Sequence, residues 1–290
     1  MRPVALSPLL FGFIIICSGC ASNQSLVFNN IDIGKGLSAL GHTQEALTEI
    51  DETAEIALGR EITTNLLGVA PLLDNSDVQQ YVNSVGRWVS MHSERPDLPW
   101  SFAVLDHNSI NAFAAPGGYI VLTKGLLLSL GSEAELAGVL GHEISHVLRR
   151  HHLNALKKAS GMSALTEFTD VILTANERST ESLKFVTAGT ELYTRGLDKG
   201  DEFESDRMGI VLAARAGYDP YGLPAALQKL DMINPDDAAL ALLFKTHPSF
   251  DERLSRLETA MTGQFEQFES QPSAEARFTR AIAAISSKER

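Results

Sequence analysis

The sequence predicts an α+β fold, mostly helical, with a small β-sheet beside a central helix. Three observations carry this reading. Residues 100–123 hold short alternating or apolar runs around a Pro116-Gly117-Gly118 turn, the mark of paired strands. Apolar residues on either side recur with the period of a buried helix face. A capping pattern at Ser132 then opens a helix that carries His142-Glu143-Ile144-Ser145-His146.

In chain order, residues 1–19 read as a signal peptide, with Arg2 at its start, an apolar stretch from Val4 to Ile16, and small Ser18-Gly19 before Cys20. The ending Ile16-Cys17-Ser18-Gly19-Cys20 resembles a bacterial lipoprotein signal, in which Cys20 is acylated and becomes the new N-terminus. Cys17 stands where leucine is usual, and an ordinary secretory signal cut nearby is the alternative. Ala21-Ser22, with no aspartate, resembles signals retained at the outer membrane, where several acyl chains on one terminus anchor stably. Residues 20–42 read as a lipid-anchored tether, 43–265 as the main domain, and 266–290 as a helical C-terminal tail.

Thr43 to Leu67 and Asp77 to Met91 read as amphipathic helices, the second stopped by Pro96 and Pro99. Trp100 to Leu105 alternates like a strand, and Asn111 to Thr123 reads as two short strands about the turn. Nearly everything after Thr123 looks helical, with breaks near 161, 217–224 and 234–235. There is no internal repeat.

Lys and Arg number 24 against 36 Asp and Glu, a formal net charge of −12 that argues against nucleic acid and against charge-driven binding to anionic lipid. Both cysteines, Cys17 and Cys20, lie in the signal ending, so the domain is expected to depend on its core rather than on a disulfide. Beyond the signal, no uncharged apolar run approaches the roughly 18 residues that a membrane helix needs.

His142 and His146 are four apart, one turn along one helix face, so both imidazoles reach a single metal ion. Glu143 is placed to take a proton from water without itself ligating. The combination points to zinc-assisted peptide hydrolysis, against chance as the competing explanation of the pattern alone. Leu136, Val139, Leu140, Val147 and Leu148 form the buried stripe of this helix. Gly138 and Gly141, each costing roughly 1 kcal/mol of helix propensity, read as points of close packing. Arg149, Arg150, His151 and His152 follow near the helix end, and the two histidines read as solvated rather than as ligands.

A catalytic zinc site needs a third protein ligand and an open fourth position. Glu202 and Asp206 lie four apart near the start of a helix running through Ala216. Either Glu202 ligates zinc while Asp206 accepts the free ring N–H of a ligand histidine, or both acids merely suit a helix N-terminus; the spacing leaves both open. His247, in a loop before Pro248, reads by itself as a structural hydrogen-bonding residue. His42, His92 and His107 read as surface or core residues.

Taken in order, His142-Glu143-x-x-His146 and Glu202-x-x-x-Asp206 resemble the zinc metallopeptidases that include the CAAX prenyl proteases, HtpX and the periplasmic BepA/LoiP group. Asn111-Ala-Phe-Ala-Ala-Pro-Gly-Gly-Tyr is similar to the strand before their active-site helix, and Thr246-His247-Pro248-Ser249 to their later His-Pro motif. The resemblance implies a zincin-like (gluzincin) domain with Zn2+ on His142, His146 and Glu202. It implies Glu143 as general base, and His247 either filling the fourth zinc position at rest or stabilising the oxyanion. The absence of further spans points to the periplasmic lipoprotein branch. The activity so implied is a lipid-anchored endopeptidase acting on misfolded or misassembled envelope proteins, with Asn111 helping to hold an extended peptide along its strand. The competing reading is a chaperone-like protein that binds unfolded envelope proteins, its peptidase activity latent behind His247; the intact Glu143 argues against pure binding. A closed structural zinc site would need four permanent ligands, with His247 as the fourth.

Overall fold

The computed structural model describes residues 50–160, 196–233, 240, 243, 247, 249–268 and 270–286. The signal, Cys20 and the tether lie outside the described residues, as do 43–49 and the breaks expected near 161 and 234–235. Helix α1 (Glu52–Val69) starts where the Asp51 carboxylate accepts from Ala54 N–H at 2.8 Å. Helix α2 (Ser76–Ser90) starts where the Asn75 side chain accepts from Val78 N–H at 3.1 Å. Its Val78, Val82, Val85 and Val89 recur on one face and are buried, the amphipathic pattern read from the sequence.

Strands β1 (Ser101–Leu105), β2 (Ala112–Ala115) and β3 (Tyr119–Thr123) form a sheet of order β1-β3-β2, with β3 parallel to β1 and antiparallel to β2. The β2–β3 turn needs glycine: Gly117 and Gly118 sit at φ 76° and 99°, where a side chain is strained. Alternation along the strands divides the sheet faces. Phe102, Val104, Ile120 and Leu122 enter the main core, while Ala103, Phe113 and Val121 meet Leu66 and Leu67 of α1. The outer edge of β1 is closed by side chains of α2. Asn83 Oδ1 accepts from Phe102 N–H at 3.1 Å, and Gln79 exchanges bonds of 2.8 and 2.7 Å with the N–H and C=O of Val104.

After α3 (Lys124–Ser129) comes the central helix α4 (Glu133–Leu148), buried continuously from Glu133 to Val147. Ser132 caps it, its Oγ accepting from Glu135 N–H at 3.1 Å. The returning half of the capping box is displaced by one residue, because Glu135 accepts from Gly131 N–H (2.8 Å) and also pairs with Lys229 (2.6 Å). Helices α5 (His151–Ser160), α6 (Lys199–Arg215), α7 (Gly222–Asp231) and α8 (Phe250–Met261) follow, then a 3-10 turn at Glu266–Phe268 and α9 (Glu275–Ser286). In α9, Phe278, Ile282 and Ile285 are buried in the main core.

The glycines of α4 mark where its neighbours come closest. A Cβ on Gly138 would lie 2.7 Å from Leu223 N of α7, and one on Gly141 would lie 2.7 Å from Gly209 O of α6. Helices α4 and α6 therefore touch backbone to backbone beside His142, where both turn polar residues inward. Among the described residues, no helix is long and apolar enough to cross a membrane.

Candidate metal centre

Helix α4 brings His142 and His146 to one face, and their Nε2 atoms stand 3.0 Å apart. Across the glycine contact, α6 presents Glu202, which is fully buried. Its Oε2 lies 3.6 Å from His142 Nε2 and its Oε1 3.5 Å from His146 Nε2. Ligands at about 2.0–2.1 Å from a tetrahedral zinc stand roughly 3.3 Å from one another, so these separations fit a shared ion. The donor chemistry fits as well. Among the described residues Glu202 Oε1 is buried without a hydrogen-bond partner, an orphan that a cation would satisfy. His247 joins from the loop before α8, its Nδ1 2.5 Å from Glu202 Oε2, and ligand atoms of His142, Glu202 and His247 lie within 4.8 Å of one another.

Asp206 lies one turn beyond Glu202 and behind His142, with Oδ1 2.9 Å from His142 Nδ1. Arg253 of α8 grips that carboxylate with both ends of its guanidinium, Nε to Oδ2 at 2.9 Å and an Nη to Oδ1 at 2.6 Å. Burial alone would push the Asp206 carboxyl up, but Arg253 and His142 hold it well below the usual carboxylate range. Burial likewise opposes a charge on His142, yet the hydrogen bonds with Asp206 and Glu202 outweigh it and raise its pKa to about 9. At Glu202 burial is outweighed by His247, His142 and His146, which hold the carboxyl far down. Burial pushes His146 the other way, so it is neutral, the form that ligates.

Glu143 is buried, which raises its carboxyl, and it lines a cavity of about 40 Å³ with Ala112, His142, Leu223, His247 and Arg253. That volume holds water but no peptide. Asn111 is completely buried just before β2, and neither polar atom of its side chain has a hydrogen-bond partner among the described residues. Its backbone is held instead, N–H donating to Thr123 Oγ1 at 3.0 Å.

One expectation is corrected. His151 is buried and His152 half-buried, so neither is a solvated helix end. Arg150 takes a left-handed conformation (φ 56°) that ends α4 and turns the chain into α5, returning His151 toward His146. Glu55 of α1 accepts from Arg150 at 3.0 Å, from Arg95 at 2.9 Å and from Gly117 N–H at 3.2 Å, fixing this corner to the β2–β3 turn. His92 is half-buried against Trp88 and His107 is exposed, as the sequence reading has them.

Arg253 escaped the sequence reading although a signal existed. It occupies a stripe position among Phe250, Leu257 and Met261, and a cation in an apolar stripe implies a buried partner. The Gly141–Gly209 contact had half a signal, since only the glycine in the motif helix drew notice.

Residues 75–261 match the sequence profile of Peptidase family M48. The chain is 32% identical over 224 residues to a beta-barrel assembly-enhancing protease of Yersinia pestis, covering 76% of this chain and 46% of that one. It is 30% identical over 189 residues to the mitochondrial metalloendopeptidase OMA1 of Arabidopsis thaliana, covering 65% and 37%. Over 219 residues it is 31% identical to a protease HtpX homolog of Paraburkholderia phytofirmans, covering 62% and 75%. The chain therefore spans about half the length of the beta-barrel assembly-enhancing proteases it matches. With a zincin-like α+β fold, a His-Glu-x-x-His helix and a family match over most of its described residues, the chain belongs to peptidase family M48.

Proposed function

We propose that the protein is a zinc-dependent endopeptidase of the bacterial cell envelope, degrading misfolded or misassembled envelope proteins. The observation that carries the reading is the convergence of His142 Nε2, His146 Nε2 and the orphaned Glu202 Oε1. Bound there, zinc supplies a Lewis acid that acidifies water and polarises a carbonyl. Glu143 takes the proton of the attacking water and passes it to the leaving amine, a task suited to a carboxyl raised by burial. Asp206, clamped by Arg253, orients His142. His247 contacts Glu202 beside a cavity too small for peptide, which supports a resting site that opens when His247 moves away. Once displaced, His247 is positioned to stabilise the oxyanion.

The sheet supports a mode of substrate binding. Side chains seal the β1 edge, while β2 pairs on one side only among the described residues and begins at Ala112 beside Glu143. An extended peptide adds to that edge by backbone bonds, which tolerates many sequences. Asn111, with its unsatisfied amide, is the adjoining polar contact. The envelope location and the class of substrate rest on the names of the beta-barrel assembly-enhancing relatives and on the lipoprotein-like signal ending in Cys20.

Metal analysis with cleavage of an unfolded protein tests the site. Wild type is expected to hold one zinc and cleave, and Glu202→Gln to lose both metal and activity. Zinc occupancy of Glu202→Gln equal to wild type refutes the third ligand.

A further inference from the structure

Each ligand histidine has a second ring nitrogen, and the two are served by different chemistry. His142 Nδ1 meets the carboxylate of Asp206. His146 Nδ1 meets a neutral partner instead, His151 Nδ1 at 3.0 Å, in a buried contact. The rings cross nearly edge to face, with centroids 5.1 Å apart. Ser205 Oγ also stands near His151 Nδ1, farther off at 3.4 Å.

We propose that His151 is a positioning residue for His146, its Nδ1 accepting the His146 Nδ1 proton so that His146 Nε2 keeps a lone pair for the metal. The proposal rests on the zinc ligands named above. A neutral imidazole has one proton, and a nitrogen that binds a cation has none. The His146 proton must then be on Nδ1, and the only way both rings share the 3.0 Å contact is for His151 Nδ1 to be bare. The His151 proton is consequently on Nε2. Acidic side chains stand on that side, Asp201 Oδ1 and Glu204 Oε2, each 3.6 Å from His151 Nε2. That is beyond hydrogen-bond length, but their negative charge favours an N–H pointing toward them. Arg149 holds Glu204 in place at 2.9 Å.

The backbone builds this arrangement. The left-handed Arg150 breaks the helix after His146 and folds His151 back beneath it, and Glu55 holds Arg150 in that position. In an unbroken helix, a residue five positions on would point away from the His146 face. The design is therefore a pair of relays of unequal charge. His142 leans on a carboxylate already balanced by Arg253, and His146 leans on a neutral ring biased by the half-exposed acids of α6. The second relay orients its ligand without burying another full charge next to Glu202.

Two measurements decide. Long-range 1H–15N NMR of the zinc-loaded protein, labelled at histidine ring nitrogens, is expected to show His146 as Nδ1–H and His151 as Nε2–H; His151 as Nδ1–H overturns the proposal. Zinc affinity is then read by chelator competition. His151→Leu, similar in size but without an acceptor, is expected to bind zinc about 10–100-fold more weakly. His151→Asn, whose amide oxygen sits close to the place of Nδ1, is expected to restore most of that loss; equal weakness in both variants means the acceptor at this position does not hold His146 and overturns the proposal. If His151→Leu fails to fold, the NMR result stands alone. His146→Ala separates the two levels: zinc affinity unchanged there sinks the ligand set, whereas loss there with wild-type affinity in His151→Leu sinks the relay alone.

Discussion

Glu133 and Glu143 stand toward opposite ends of one helix and are about equally buried, at 2% and 4% exposure, yet their surroundings are opposite. Glu133 is saturated with donors. Tyr81 donates to one oxygen and Tyr218 to the other, each at 2.8 Å, and Arg277 reaches both. Burial would raise this carboxyl, but Arg277, Tyr218 and Tyr81 outweigh it and hold it below the usual range. Those donors come from α2, from the segment after α6 and from α9, so one carboxylate ties three parts of the fold to the start of α4. Glu143 has no such set of donors among the described residues, and burial raises it. Burial alone does not make a carboxylate a brace or a base. The supply of donors decides, because a saturated carboxylate gives up the lone pairs that a base needs.

The largest expected effect breaks the site end of this comparison. Glu143→Gln should lower peptide hydrolysis by about 10²–10⁴-fold while zinc content stays full. Its melting temperature should equal or exceed that of wild type, because a poorly paired buried charge has been removed. A marked loss of stability in this variant would show that Glu143 is a brace as well.

Glu133→Gln is the mirror image. Losing hydrogen bonds to a charged acceptor should cost about 1.5–3 kcal/mol, read by denaturant unfolding, with the turnover of the folded fraction unchanged. Gly209→Ala probes the contact between the two ends. Its Cβ would meet His142 N at 2.7 Å, so α6 must move and carry Glu202 with it. Overpacking of this kind costs about 1–3 kcal/mol, and zinc affinity should fall with stability. Weakened stability with unchanged zinc affinity would separate the glycine contact from the site.

The smallest effect is a pH dependence. The folded Glu133 carboxyl lies below its unfolded value, so its contribution to stability is complete above the unfolded pKa of about 4.3. That contribution fades as pH falls through the lower folded value. The stability gap between wild type and Glu133→Gln should therefore be flat near neutrality and close on acidification. A gap that widens toward acid would contradict the depressed carboxyl.

The motif end of α4 was legible because its residues repeat along one helix and need no distant partner to be recognised. His142, Glu143 and His146 declare a face, and Ser132 declares where the helix begins. Glu202 and Asp206 were half legible: their spacing showed a shared face, and only the fold shows that it is turned to His142 rather than to water. Glu133 carried no signal in the sequence. Its donors are far away in sequence, with Arg277 most remote of all, and no local pattern links them. His151 was misread for a related reason, since its burial depends on a left-handed turn at Arg150, a conformation that sequence propensity assigns to glycine or asparagine rather than to arginine.

The sequence by itself determined the elements and the chemistry in α4, because helix period, caps and turn glycines act over a few residues. It also carried the histidine pair proposed to hold the metal, whose geometry follows from one turn of helix. Tertiary structure decided which acid faces that pair, which histidine stands behind His146, and which buried glutamate is braced. Those outcomes depend on the approach of α6 across Gly141 and Gly209 and on the return of α5 after Arg150. They are set by packing between segments distant along the chain, where local propensity has no reach.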